Sequence, residues 1–131
     1  MIVSGIYMIM QTLQVLSDTG MQITVNTGKA WINGYFYQNT TTLSLTLANA
    51  SGTLNRIDSI VVQCDFTERE MRTAIKQGTP SNSPVAPSLV RTPDMYEIQL
   101  ATVYIKAGTA SISQEDITDT RRDNSLCGVV P

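Results

Sequence analysis

The chain has 131 residues, a formal net charge of −2, 15% charged residues and no histidine. That length suits one domain able to fold without a disulfide or metal staple. Its nine basic residues are scattered, adjacent only at Arg121 and Arg122, so no basic stripe exists to neutralise a phosphate backbone, and nucleic acid is excluded as a partner.

In chain order, residues 1–10 are apolar but too few to span a bilayer, lack a basic leading stretch and contain Gly5, so no membrane insertion is expected. Ile6, Tyr7, Ile9, Leu13, Val15 and Leu16 follow a mixed period, which predicts one or two short strands. Residues 1–20 are thus read as an N-terminal segment or edge strands, ahead of a single β-sandwich domain over 21–131. Asp18-Thr19-Gly20 predicts a turn. The period-two alternation of Met21, Ile23 and Val25 then predicts a strand with one buried face. Asn33-Gly34 lies between Lys29–Ile32 and Tyr35–Tyr37, and both residues accept the positive φ of a type I′ turn, so 29–37 reads as a hairpin.

Leu43, Leu45 and Leu47 mark the next strand, and a polar turn at 49–52 leads to the longest one, Arg56–Asp65, with Ile60, Val62 and Cys64 on one face. Arg56 and Asp58, two apart, share a face of that strand, where an ion pair with another element is within reach. A tight connection at Thr67-Glu68 should pair it with Arg69–Gln77 in a second hairpin. Residues 78–94 hold four of the five prolines, and because proline fixes φ and donates no ladder hydrogen bond they are expected to run extended over the surface. This crossover loop should pass from one sheet to the other or shield an edge. Tyr96–Lys106 has apolar residues of both parities: Tyr96, Ile98, Leu100 and Tyr104 on one face, and Ala101, Val103 and Ile105 on the other. That pattern predicts a central strand. Ser113 followed by Asp116 predicts one short helical turn near 113–117. The expected fold is all-β, an antiparallel two-layer β-sandwich.

Little of the chain reads as chemistry. Without histidine the usual proton acceptor near neutral pH is missing, no serine has a base at a recognisable spacing, and no phosphate-cradling loop occurs, so no catalytic residue is assigned and no enzyme is expected. Glu68, Glu70, Glu115, Asp116, Asp119 and Asp123 offer carboxylates that could pair for glycoside hydrolysis, but acids beside turns are read as solvated or capping residues, and Asp116, Asp119 and Asp123 lack the spacing and glycine of a calcium loop. Asp119 and Arg121 are instead expected to fix a turn by local hydrogen bonds. Cys64 and Cys127 match no metal pattern and are read as free thiols, Cys64 as a small buried hydrophobe. No cofactor and no metal is expected. Two surface candidates remain. The apolar run Ile6, Tyr7, Met8 and Met10 is a candidate interface for a protein partner. Trp31, Tyr35 and Tyr37 are a candidate platform for a sugar ring, with packing of the hairpin core as the plainer explanation.

Taken in order, the run Gly28–Tyr37, the run Leu54–Val62, Gly78-Thr79-Pro80 with Pro84-Val85-Ala86-Pro87, Tyr96-Glu97-Ile98 with Leu100-Ala101, and Ile117–Arg121 with Leu126-Cys127-Gly128 resemble tail-tip and baseplate proteins of long-tailed bacteriophages. The resemblance extends to the upstream, shoulder-like domain of their receptor-binding proteins and covers about residues 20–128. It implies a β-sandwich structural module of the virion with no enzymatic activity and no cofactor, made in the host bacterial cytoplasm and carried at the tail tip. It also implies other tail proteins as partners, assembly as a homotrimer or ring, and, under the alternative of a carbohydrate-binding module, a host cell-wall polysaccharide as ligand. The residues before Met21 look like the remnant of a longer N-terminal region.

Overall fold

The computed structural model describes residues 5–7, 13–32, 35–123, 126, 127, 129 and 130. Eleven strands and one 3₁₀ turn at Gln114–Asp116 are formed by these residues. The strands are β1 (Gly5–Tyr7), β2 (Val15–Ser17), β3 (Gln22–Val25), β4 (Gly28–Ile32), β5 (Tyr35–Asn39), β6 (Leu43–Thr46), β7 (Arg56–Asp65), β8 (Glu70–Lys76), β9 (Met95–Ile105), β10 (Ile117–Asp119) and β11 (Val129–Val130). The all-β, sandwich-like fold expected from the alternating pattern is what the chain adopts.

The strands form three sheets, in the orders β10-β9-β7-β8, β11-β1-β4-β5 and β2-β3-β6. Every pairing is antiparallel except that of β1 with β11, where Ile6 lies beside Val129 and Tyr7 beside Val130. Ile32 pairs with Tyr35, which gives β4 and β5 the two-residue connection expected of a hairpin, and residues 33 and 34 themselves lie outside the described set. One apolar core joins all three sheets. Ile60, Val62, Cys64, Ile98, Leu100, Val103 and Ile105 come from the central sheet, and Leu13, Val15, Ile23, Val25, Ala30, Ile32 and Leu47 face them. The hydroxyls of Tyr37 on β5 and Thr73 on β8 bond across the layers at 2.9 Å.

Two expectations are corrected by the register. Ile60 pairs with Ala101 but Val61 pairs with Gln99, so Leu100 is an extra residue, a bulge that shifts the parity of β9. As a result Ala101, Val103 and Ile105 share the core face with Tyr96 and Ile98, and Tyr104 turns to the opposite face with Glu97 and Gln99. The Pro-rich segment likewise does not change sheets, and of its two expected courses it takes the other, shielding an edge where the Val90 carbonyl accepts from the Glu97 N–H on the outer side of β9. β8 and β9 are both antiparallel to β7, hence parallel to each other, so the chain must return the length of the sheet between them. Residues 77–94 make that return as an extended strap, with Ser81 bridged to Asn55 at one end and Arg91 to Tyr96 at the other.

Candidate functional site

The face of the central sheet turned away from the core is polar, and the strap covers it. Register places Ser59, Val61 and Gln63 of β7 there, with Arg72, Ala74 and Lys76 of β8 and Glu97, Gln99 and Thr102 of β9. Glu97 is only 1% exposed. A buried carboxylate is tolerated only when charge and hydrogen bonds compensate its lost water. Here Lys76 Nζ donates to Oε1 at 2.7 Å, the Val90 backbone N–H donates to the same oxygen at 2.7 Å, and Gln63 Nε2 donates to Oε2. Burial pushes this carboxyl up, but those three donors together outweigh it and hold the group below the usual carboxylate range.

The same residues fasten the strap. Lys76 Nζ also donates to the Ser88 carbonyl at 2.7 Å, the Glu97 N–H donates to the Val90 carbonyl at 2.9 Å, and Arg91 Nε donates to the Glu97 carbonyl at 3.2 Å. Arg91 lies over the Tyr96 ring, 4.9 Å from its centroid. At the other end of the strap, Gly78 is pressed onto β7. A Cβ added there would stand 2.0 Å from the Ile57 carbonyl oxygen, so only glycine fits. The Gly78 N–H donates to Asp58 Oδ1 at 2.8 Å.

Asp58 is fully buried and Arg56 nearly so. The two pair with each other, Nε to Oδ1 at 2.9 Å, rather than with a side chain of another element. The remaining Arg56 donors reach the Asn49 carbonyl at 2.7 Å and the Ala48 carbonyl at 2.6 Å. One ion pair thereby ties three backbone segments together. A second clasp closes the turn after β10. Arg121 donates through its backbone N–H at 3.0 Å, Nε at 2.9 Å and Nη2 at 2.7 Å to the Asp119 carboxylate, as its place two residues on suggested. The Arg121 guanidinium holds the Asp119 carboxyl below its ordinary value against a burial effect that raises it.

The remaining candidates from the sequence are placed as follows. Ile6 and Tyr7 lie in β1 between β4 and β11, while Met8 and Met10 lie outside the described residues. Trp31 pairs with Gly5 and Phe36, and Tyr35 with Ile32. Tyr37 is half-buried against the core with its hydroxyl bonded to Thr73. Asn39, at the end of β5, is buried and donates to the Asn26 carbonyl at 3.2 Å. Cys64 and Cys127 are buried and not joined in a disulfide, and burial pushes the Cys127 thiol up to about 12. Asp116 accepts from the Ser113 backbone N–H at 3.0 Å, forming the short turn that Ser113 predicted.

Among the described residues no cluster of histidine, cysteine or carboxylate side chains could hold a metal ion, and no helix is long and apolar enough to cross a membrane. An uncharged, open hollow of about 430 Å³ lies inside the curve of the strap, lined by Gln77, Thr79, Ser81, Ser83 and Val85 among others. Sequence reasoning missed the Glu97 cluster. Its signal was the placement of Gln63, Arg72, Lys76 and Glu97 at polar positions of three strands, legible only once their register was known. None of the protein-family models, curated proteins or solved structures compared with this chain matches it.

Proposed function

We propose that the chain is a non-enzymatic structural or adaptor component of a bacteriophage tail or baseplate, related to the anchoring domain of receptor-binding proteins. It is assembled in the host bacterial cytoplasm and carried in the virion, with other tail proteins as its partners. One observation carries this reading. Five residues within the motifs that resemble tail-tip proteins are spent on structure: Arg56, Asp58 and Gly78 hold separate stretches of backbone together, and Asp119 with Arg121 closes a turn. Their chemistry is spent on the shape of a scaffold. The reading as a saccharide-binding module on Trp31, Tyr35 and Tyr37 is the lesser one, because the Tyr37 hydroxyl is already engaged by Thr73.

The test is mass spectrometry and immunolabelling of particles induced from the bacterium that encodes the chain, with and without the gene. The chain should be found at the tail tip, and its loss should leave filled heads with defective tails. A chain recovered from the lysate but absent from purified particles overturns the reading.

A further inference from the structure

An open strand edge offers a row of unpaired backbone donors and acceptors, and folded proteins cover, shorten or charge such edges. Here the others are dealt with. The outer edge of β9 is occupied by β10, by the Leu126 carbonyl, which accepts from the Gln99 N–H at 2.8 Å, and by Val90 of the strap. At β2, the Gln114 side-chain amide stands in for a neighbouring strand. Its Oε1 accepts from the Ser17 N–H at 2.9 Å and its Nε2 donates to the Val15 carbonyl at 3.4 Å. Open edges elsewhere belong to strands of at most five residues. β8 differs. It is seven residues long, and among the described residues no backbone group outside β7 bonds to its backbone.

We propose that β8 is the docking edge for β8 of a second copy of this chain, the two strands pairing antiparallel about a two-fold axis at Thr73. The sequence of the edge, Glu70-Met71-Arg72-Thr73-Ala74-Ile75-Lys76, is complementary to itself in that register. Glu70 falls opposite Lys76 of the second copy, Met71 opposite Ile75, Arg72 opposite Ala74, and Thr73 opposite Thr73. Each dimer thus gains two opposite-charge cross-strand pairs and two apolar ones. An edge guarded against pairing carries like charges that would meet, whereas this one carries opposite charges placed symmetrically. The remaining charge, Arg72, is drawn back over β7. Its Nε donates to Gln63 Oε1 at 2.9 Å and its Nη2 lies 3.4 Å from Asp65. Glu70 is 60% exposed, with one carboxylate oxygen 3.6 Å from Arg72 Nη1, and Lys76 Nζ, which already donates to Glu97 and to the Ser88 carbonyl, keeps a third hydrogen to offer across the seam. The product is one continuous eight-stranded sheet, an isologous interface of the kind most homodimers use.

Light scattering of the purified chain over a dilution series should give twice the 14.3 kDa chain mass at high concentration. Glu70→Lys sets two lysines opposite each other twice per dimer and should raise the dissociation constant roughly tenfold or more. Glu68→Lys, the same charge change in the exposed turn before β8, should leave it unaltered. Thr73→Cys places two thiols about 5 Å apart at their Cβ atoms and should form an intermolecular disulfide under mild oxidation. Glu70→Cys should not, since residue 70 lies about 20 Å from its own copy across the seam. A monomer at every concentration overturns the proposal. So does a trimer, which cannot close through a two-fold pairing, or a dimer indifferent to Glu70→Lys that fails to cross-link at position 73. None of these outcomes depends on whether the chain belongs to a virion.

Discussion

Arg56 and Asp58 neutralise each other inside the protein, and their value lies in the backbone they reach rather than in the pair alone. Removing one member strands the other away from water, which typically costs about 3 to 5 kcal/mol. Arg56→Ala should lower the stability measured by urea denaturation by that amount, and the Arg56→Ala, Asp58→Ala double variant should lose less than the sum of the single changes. Glu97 sets a different dependence. Its folded-state carboxyl titrates below the usual range, so the unfolded chain binds more protons at acid pH, and the stabilisation present above the unfolded value is lost as pH falls through the folded one. Stability should therefore decline below about pH 4.3. Glu97→Gln, which removes the charge that Lys76 answers, should cost roughly 2 to 3 kcal/mol at pH 7 and flatten that acid decline. Asp119 adds to the decline with the same sign, so some slope should persist in the variant.

The strap shows which elements a sequence displays and which it hides. Its four prolines announce an extended, ladder-free course, and the long strands on either side are plain from alternation. Where it travels is not, because the parallel relation of β8 and β9 depends on both pairing with β7, a non-local fact. The same holds for the polar face beneath it. Gln63 and Glu97 stand 34 positions apart in the chain and look solvated until register makes them neighbours. The bulge at Leu100 defeated parity counting for a related reason, since one inserted residue reverses every later side chain. Gly78 is the point at which the strap is most sensitive. Gly78→Ala forces a methyl group onto the Ile57 carbonyl and should cost about 3 kcal/mol. Limited proteolysis of that variant should cut first within 78–94, since the bonds to Asp58 and Asn55 would have to shift.

At the scale of the whole molecule, one core receives residues from all three sheets and both cysteines. A thiol reagent reaches Cys64 or Cys127 only if that core opens, and burial disfavours the reactive thiolate of each. Native protein at neutral pH should therefore stay unlabelled over the time in which the denatured chain yields two thiols. Under mild denaturant both should appear with one rate constant. Early labelling of Cys127 alone would show that the C-terminal segment separates on its own.

The parallel pairing of β1 and β11 has a mechanical side. These strands run in the same direction, so tension applied between the start of β1 at Gly5 and the end of β11 at Val130 slides one past the other. The hydrogen bonds of that seam then resist together, in shear, instead of peeling apart singly. With two residue pairs the seam is short, yet loaded along its strands it gives way as a unit, a useful trait in anything that must transmit a pull.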